Sequence, residues 1–227
     1  AEGTLYINSN QSGLWAFDPK SGVEKWRNKG CQSDIAVKGG TLLRPGGAYG
    51  GGLLALDAQS GAQSWYHTAG STSFRLAARD DLAYVTYAGE TPVEVVVDKN
   101  YKRFKYDRIA AFGTRDGNKV WETVLKEDAR YSGLLLLGDF LYVVVRGDSI
   151  YCLDAQTGKI RTQRRFIDGL GRLIATSNVI FATSKQGVVA LAPKTLETLW
   201  ATPTSGFPNL AVANGRFYVA TGPKLVA

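Results

Sequence analysis

Gly52-Leu-Leu-Ala-Leu-Asp-Ala-Gln-Ser-Gly-Ala-Gln-Ser-Trp65 decides the fold, because the chain repeats it. In one-letter code this is GLLALDAQSGAQSW (52–65). It aligns without gaps with GLWAFDPKSGVEKW (13–26), RIAAFGTRDGNKVW (108–121), SIYCLDAQTGKIRT (149–162) and GVVALAPKTLETLW (187–200). A sixth copy begins as KLVA (224–227). The centre of each apolar run is Ala16, Ala55, Ala111, Cys152, Ala190 or Ala227. The period is therefore near 40 residues, with one long interval of 56 between Ala55 and Ala111. Self-similarity at such a period is the signature of a repeat architecture and outranks local propensity.

Each copy has a mechanical reading. Four or five apolar residues form a strand, and a turn follows at Asp18 to Gly22, Asp57 to Gly61 and Asp154 to Gly158. The Asp can accept hydrogen bonds from the N–H groups just ahead, and the Gly supplies the positive φ of the bend. The third copy keeps Gly117 but has Gly113 in place of the Asp. The fifth has Ala192 and Leu196, degenerate at both positions. Eight residues after the Asp position stand Trp26, Trp65, Trp121, Thr162 and Trp200; Trp15 is the one tryptophan outside this slot.

A second pattern lies upstream of each copy. Two-residue turns are expected at Glu2-Gly3, Gly39-Gly40, Asp80-Asp81, Gly138-Asp139, Ser177-Asn178 and Asn214-Gly215, several of them strong hairpin signals. Tyr6, Leu43, Tyr84, Tyr142, Phe181 and Tyr218 follow them at a fixed offset, and Ile35, Leu76, Leu134, Leu173 and Leu210 precede them. Every repeat therefore reads as four strands. Strand A precedes the hairpin turn, B follows it, C carries the small central residue and D the Trp.

Four-stranded repeats of this length predict an all-β fold, a β-propeller of four-stranded antiparallel blades. The chain holds five to six blades, four complete and two partial, within a single domain spanning 1–227. Blade 1 is partial (1–28). Blades 2 (29–69), 3 (70–127, with an insertion at 89–107), 4 (128–167) and 5 (168–204) are complete, and blade 6 is partial (205–227). The first lacks strand A and the last strand D. Each Trp is expected to fill the gap between neighbouring blades. Because the partial blades do not complement each other, the ring reads as a fragment of a larger one or one that closes unusually. The chain has no Met and opens on Ala1-Glu2-Gly3, which reads as a processed product or an excised segment.

The pattern Ala-Leu-Asp-Ala-x-Ser/Thr-Gly-x-x-x-Trp, matched at Ala55 to Trp65 and nearly so at Ala16 to Trp26, resembles the PQQ-like, quinoprotein-type propeller repeat. The resemblance covers essentially the whole chain. It implies the fold strongly and the function weakly, because fold does not settle function. The family includes quinoprotein alcohol dehydrogenases using pyrroloquinoline quinone, an outer-membrane β-barrel assembly lipoprotein, and sensor domains of bacterial serine/threonine kinases. By this analogy the protein is extracytoplasmic, periplasmic or extracellular, with a cytoplasmic location left open.

Composition bounds the rest. The chain has 227 residues, 44% hydrophobic and 21% charged, as an ordinary globular protein does. No apolar run of 18 residues is present to span a membrane as a helix. The net charge of +7 fits solubility, or attraction to nucleic acid, an anionic surface or an acidic partner. Cys31 and Cys152 stand far apart, and Cys152 reads as a buried thiol rather than a ligand.

Few reactive groups converge. The single histidine, His67, sits at a strand end and reads as a surface or packing residue. No metal-binding or Ca²⁺-loop motif appears, and the adjacent cysteine pair of quinoprotein alcohol dehydrogenases is missing. The run Arg44 to Gly52 is glycine-rich but lacks the Lys-Ser/Thr of a phosphate loop and reads as a B–C connection. No cofactor is expected; pyrroloquinoline quinone and Ca²⁺ enter only if the chain is a dehydrogenase fragment. The leading expectation is a non-enzymatic scaffold or ligand-sensing propeller, with a kinase sensor domain and a dehydrogenase fragment as alternatives.

Two regions are the candidate binding sites. At the start of strand A, before the core Ile or Leu, stand Asp34, Arg75, Gly133, Arg172 and Asn209. Strand A lies innermost, so Asp34, Arg75, Arg172 and Asn209 should ring a channel mouth, either as a plain solvated rim or as a site where arginines bind an anionic ligand. The second region is the insertion, whose alternating Val93, Val95, Val97 and then Tyr101, Phe104, Tyr106 predict a β-hairpin turning at Asp98 to Asn100. Lys99, Lys102, Arg103, Lys105 and Arg108 make it basic. It reads as a solvated hairpin, a protein-docking tongue or, least, a nucleic-acid contact. Both regions belong to the same expected face, so the expected partner is a protein or a small anionic ligand. Oligomeric state is undetermined.

Overall fold

Every copy of the quoted stretch folds as two adjacent antiparallel strands, and the residue at its centre explains why. The structure, a computed structural model, describes residues 3–9, 13–29, 34–45, 52–68, 72–87, 94–98, 101–104, 108–125, 133–145, 148–204, 209–213, 216–221 and 224–226. It divides into two compact halves, Ala1–Arg130 and Tyr131–Ala227. The division falls at the junction of repeats 3 and 4.

In the N-terminal half, β1 (Leu5–Ser9), β2 (Gly13–Phe17) and β3 (Glu24–Asn28) form a three-stranded sheet in that order. Strands β4 (Ala36–Lys38), β5 (Thr41–Pro45), β6 (Gly52–Asp57) and β7 (Gln63–Thr68) form a four-stranded one. The third repeat holds β8 (Thr72–Arg79), β9 (Leu82–Tyr87), β10 (Glu94–Asp98), β11 (Tyr101–Phe104), β12 (Arg108–Gly113) and β13 (Lys119–Val124). Its sheet order is β8-β9-β12-β13, with β10 and β11 paired separately as the expected inserted hairpin.

In the C-terminal half, β14 (Leu134–Leu137), β15 (Phe140–Val145), β16 (Ser149–Asp154) and β17 (Ile160–Arg165) form one sheet. The next contains β18 (Leu173–Ala175), β19 (Ile180–Ser184), β20 (Gly187–Leu191) and β21 (Thr198–Pro203). A three-stranded sheet of β22 (Asn209–Ala213), β23 (Arg216–Thr221) and β24 (Lys224–Val226) follows. All pairings are antiparallel, and no helix occurs among the described residues. Among the described residues the first sheet thus shows strands B to D, the last A to C, and the four-stranded sheets A to D. Strand β4 packs beside β8, β14 beside β18 and β18 beside β22, so A strands meet between neighbouring sheets, and the B strand β5 also packs against β8.

Strands B and C are buried almost throughout, as in β9, β12, β15, β16 and β19, whereas β7, β13 and β17 alternate. A strand covered on both faces needs no polar alternation, which is why these runs are continuously apolar. The sheets are held by one repeated row of side chains. Tyr6, Ala16 and Trp26 stand directly opposite one another across three strands, as do Tyr84, Ala111 and Trp121, and Phe181, Ala190 and Trp200. The small residue on C lets the rings on B and D meet above it, with centroids 5.9 Å, 6.0 Å and 5.8 Å apart. Immediately after the small residue the C–D register shifts in all five described pairs, at Ala16, Ala55, Ala111, Cys152 and Ala190.

The row also joins one sheet to the next. The Ala58 carbonyl, in the C–D turn of repeat 2, accepts from Trp26 Nε1 at 3.1 Å and from Tyr6 Oη at 2.9 Å in repeat 1. Trp65 Nε1 donates likewise to the Thr114 carbonyl of repeat 3 at 3.0 Å. The indoles lie on the turn glycines. A Cβ on Gly61 would stand 2.6 Å from the Trp26 ring, and one on Gly117 2.6 Å from that of Trp65. The glycine therefore serves two needs, a φ of +71° and the seat of the neighbouring indole.

The turns are pinned by aspartate. Asp57 Oδ1 accepts from the Ser60 N–H and hydroxyl, both at 2.7 Å, and from Gln59 N at 3.1 Å. In the third turn Gly113 replaces the Asp, and the Asp116 carboxylate occupies the space a Gly113 side chain would need. It binds Asn118 N at 3.0 Å instead. In the fifth, Leu196 takes the glycine position at a φ of +60°, fully buried, while the backbone bond from its N–H to the Ala192 carbonyl is kept at 2.9 Å. Asp154 is held furthest from its ordinary behaviour. Arg161 Nη2 at 2.8 Å, then the Thr157 hydroxyl, draw its carboxyl down to about 2.

Two outcomes follow from these contacts. Gly22→Ala and Gly61→Ala impose the same backbone strain, but only Gly61 is covered by an indole; Gly22 has nothing within 4 Å. Urea unfolding should show Gly61→Ala less stable than Gly22→Ala by about 1–3 kcal/mol, and equal losses would refute the seating of Trp26. Asp154 titrates lower folded than unfolded, so its contribution is complete above pH 4 or so and is lost as pH falls toward 2. A urea series from pH 5 to pH 2 should show a smaller acid loss in Asp154→Asn than in the parent.

Candidate functional site

The A-strand positions are built as the pattern implies. Leu76, Leu173 and Leu210 are each 8% exposed, and they anchor their strands in the core. The residue before each is exposed: Arg172 and Asn209 stand at the starts of β18 and β22, whereas Arg75 lies inside β8. In the N-terminal half Arg75 Nη1 lies 3.3 Å from Asp34 Oδ2, so the acid of repeat 2 meets the arginine of repeat 3. Arg75 follows an irregular stretch, since Thr72 pairs with Tyr87 and Leu76 with Val85. Such a bulge re-aims a side chain. In the C-terminal half, the Arg172 carbonyl and N–H are fixed by Thr183, from its N–H at 3.1 Å and to its hydroxyl at 3.0 Å. Gly133 adjoins this strand start, with the Gly171 carbonyl 3.7 Å from its Cβ direction, and Asn209 pairs with Ala220.

The charge here is therefore mixed. Asp34 already occupies one side of Arg75, and Arg172 carries the cationic character of its own half. What the arrangement can do chemically is bind carboxylate or phosphate oxygens through guanidinium donors.

The inserted hairpin has the register Glu94 to Phe104, Val95 to Arg103, Val96 to Lys102 and Asp98 to Tyr101. Lys102 and Arg103 lie on β11. Lys99 and Lys105 fall outside the described residues, as do Val93 and Tyr106. Arg108 belongs not to the hairpin but to β12, at the root of the insertion, opposite Tyr87. There it faces Glu122, its Nη1 3.9 Å from Oε1, and the same carboxylate accepts from Lys119 Nζ at 3.0 Å and from the Tyr87 hydroxyl. This cluster clamps the two strands from which the hairpin departs.

The other singled-out groups serve packing. The His67 ring lies 4.7 Å from that of Phe112. Cys152 is a buried free thiol whose ionisation burial pushes up, and Cys31 lies outside the described residues. The glycine-rich run falls largely outside them too, but its first residue, Arg44, proves to be a buried cation. Its guanidinium donates to Asn28 Oδ1 at 2.9 Å and to the Lys29 carbonyl at 3.3 Å, tying repeat 2 to repeat 1. Nothing in the repeat pattern marks that role.

No three His, Cys, Asp or Glu side chains converge among the described residues, and the two cysteines are not adjacent. No helix is long and apolar enough to cross a membrane.

Comparison with solved structures places this geometry. BamB from Moraxella catarrhalis superposes with a TM-score of 0.67 at 19% identity, over 96% of this chain and 63% of that one. A europium-containing methanol dehydrogenase gives 0.60 at 15% identity, over 88% and 49%. Quinohemoprotein alcohol dehydrogenase from Comamonas testosteroni gives 0.60 at 16%, over 88% and 41%. The chain thus has the fold of PQQ-like propellers and spans less than two thirds of each of these three proteins. No curated protein matches the sequence. The family model described as outer membrane protein assembly factor BamB matches residues 1–100 and 105–227. The repeated row, the aspartate turns and this match together make the chain a member of the BamB family of PQQ-like repeat proteins.

Proposed function

We propose that the chain is a non-catalytic propeller scaffold that holds a protein partner during outer membrane protein assembly, in an extracytoplasmic compartment. Its six repeats are then successive blades of one propeller, and the inserted hairpin is its docking element. One observation carries this reading. The family match is interrupted at residues 101–104, and those residues are β11, the return strand of the hairpin.

The hairpin lies between strands B and C of the third repeat, rooted in a clamp of Tyr87, Glu122 and Arg108. Its return strand reads Tyr101-Lys102-Arg103-Phe104, between Lys99 and Lys105. Cations of this density steer an acidic protein surface toward the site and fix its orientation. Arg75, exposed within strand β8 of the same repeat, supplies a further donor. Arg75 and the hairpin root belong to the same end of their sheet, since Thr72 and Arg108 both pair with Tyr87.

The dehydrogenase-fragment reading draws on the structural likeness to two quinoproteins. Nothing in the sheets or the family match favours a kinase sensor. Deleting the gene in its source organism should lower the amounts of outer membrane β-barrel proteins, measured by quantitative proteomics of the envelope. A variant with residues 94–104 replaced by Gly-Gly should reproduce the loss while keeping its β-sheet circular dichroism. Unchanged β-barrel levels after gene deletion would overturn the proposal. So would a stoichiometric absorbance change on titrating the protein with pyrroloquinoline quinone and Ca²⁺.

A further inference from the structure

Repeats 4 and 5 meet without a tryptophan. Thr162 stands in the indole slot, opposite Cys152, and its hydroxyl donates to the Lys194 carbonyl of repeat 5 at 3.0 Å. Leu196 takes the position of the glycine that seats an indole elsewhere. The junction differs one step further along strand D as well. The residue two places after the slot faces the next repeat, and in the first two junctions it is spent there. Asn28 Oδ1 accepts from Arg44, and the His67 ring lies against Phe112.

In repeat 4 this position is Arg164. Its Nη1 donates to the Leu196 carbonyl of repeat 5, and its guanidinium carbon stands 4.6 Å from the centroid of the Phe166 ring. These two contacts fix the cation. Its Nε and Nη2 groups bond to no described residue.

Arg164 lines a cavity of about 330 Å³ between the two repeats, and Asp168 brings the opposite charge to the same cavity. Asp168 is fixed in its turn. The Gln186 side-chain amide donates to its Oδ1 at 2.8 Å. The Gln186 backbone is pinned on both sides, its N–H by the Ser184 hydroxyl at 3.2 Å and its carbonyl by the Thr204 N–H at 3.0 Å. Gly187 keeps that turn hard against strand β21, since a Cβ there would collide with the Thr202 carbonyl.

No ion pair joins Arg164 to Asp168. Opposite charges on one small cavity are drawn together when both side chains are loose. Here each is held by another partner, and both line the cavity instead. Val188, Ala201 and Pro203 supply an apolar wall. The volume lies at the lower end of ordinary small-molecule sites, roughly 300–1,000 Å³.

We infer that this cavity binds a small zwitterion, an α-amino acid with an aliphatic side chain. The carboxylate would take the Nε–Nη2 fork of Arg164, a bidentate geometry that guanidinium matches. The ammonium would face Asp168, and the side chain would lie against Val188, Ala201 and Pro203. The inference concerns repeats 4 and 5 alone and does not rest on the proposed scaffold role.

The probes are L-leucine, N-acetyl-L-leucine, which lacks the ammonium, and L-leucinamide, which lacks the carboxylate. Each is titrated into the protein while amide NMR shifts are followed at residues 164–168, 184–189 and 201–202. Leucine should saturate these shifts along a one-site isotherm, and each blocked analogue should bind about tenfold more weakly. Arg164→Gln should bring leucine down to the level of leucinamide, and Asp168→Asn to that of N-acetyl-L-leucine. Leucine that fails to saturate the shifts refutes the site. So do blocked analogues that bind as tightly as leucine, or an affinity that survives both substitutions. Asp168 is exposed, so Asp168→Asn keeps the test open if losing the Arg164 contacts costs the fold.

Discussion

A small residue between two rings is the constraint on which the structure depends. Strands B and D are separated by the width of strand C, and their aromatic side chains meet only if C contributes almost nothing at that point. Ala16, Ala111 and Ala190 meet this condition, and above each of them the two rings of its row meet as an apolar wall. The polar tips of that wall, one phenol and one indole nitrogen, find an acceptor in the turn of the neighbouring repeat. A single carbonyl, that of Ala58, thereby couples two strands of one sheet, β1 and β3, to the next. Burial supplies the driving force, and the shared carbonyl supplies the register between sheets.

The aspartate turns belong to the same device. A turn must present its carbonyl at a fixed height for the indole to reach it, and it must leave the glycine face bare. Aspartate binds the following N–H groups and holds that shape without a side chain on the packing face. Asp116 achieves it from another position, which is why the third repeat tolerates Gly113. The fifth repeat keeps the backbone bonds and abandons both signature residues, and it does so where the preceding repeat has abandoned the tryptophan.

Most of the fold was legible in the sequence because the repeat is read five times over. The four-strand register, the two-residue turns at Gly39-Gly40, Asp80-Asp81, Gly138-Asp139 and Ser177-Asn178, and the inserted hairpin all follow from spacing, and the described sheets have that form. The site was legible only in part. Position along strand A predicted the exposure of Arg75 and Arg172, but the pairing of Arg75 with Asp34 depends on two strands lying side by side. Arg108 sits near the basic run in sequence yet belongs to strand C and to Glu122. The link between Thr162 and Leu196 was hidden for the same reason. Each looked like a private lapse from the consensus, and their complementarity exists only where one sheet faces the next.

Leu196 carries a consequence for how such a chain can change. Its side chain stands where a preceding tryptophan would have to go, so the fifth repeat cannot follow a repeat that retains its indole. The fourth, lacking the indole, would leave a hollow if followed by a glycine-bearing turn. The two repeats are thus a matched pair with a fixed order. Duplication or shuffling of whole repeats, the ordinary route by which arrays grow, is barred at this junction unless both partners move together.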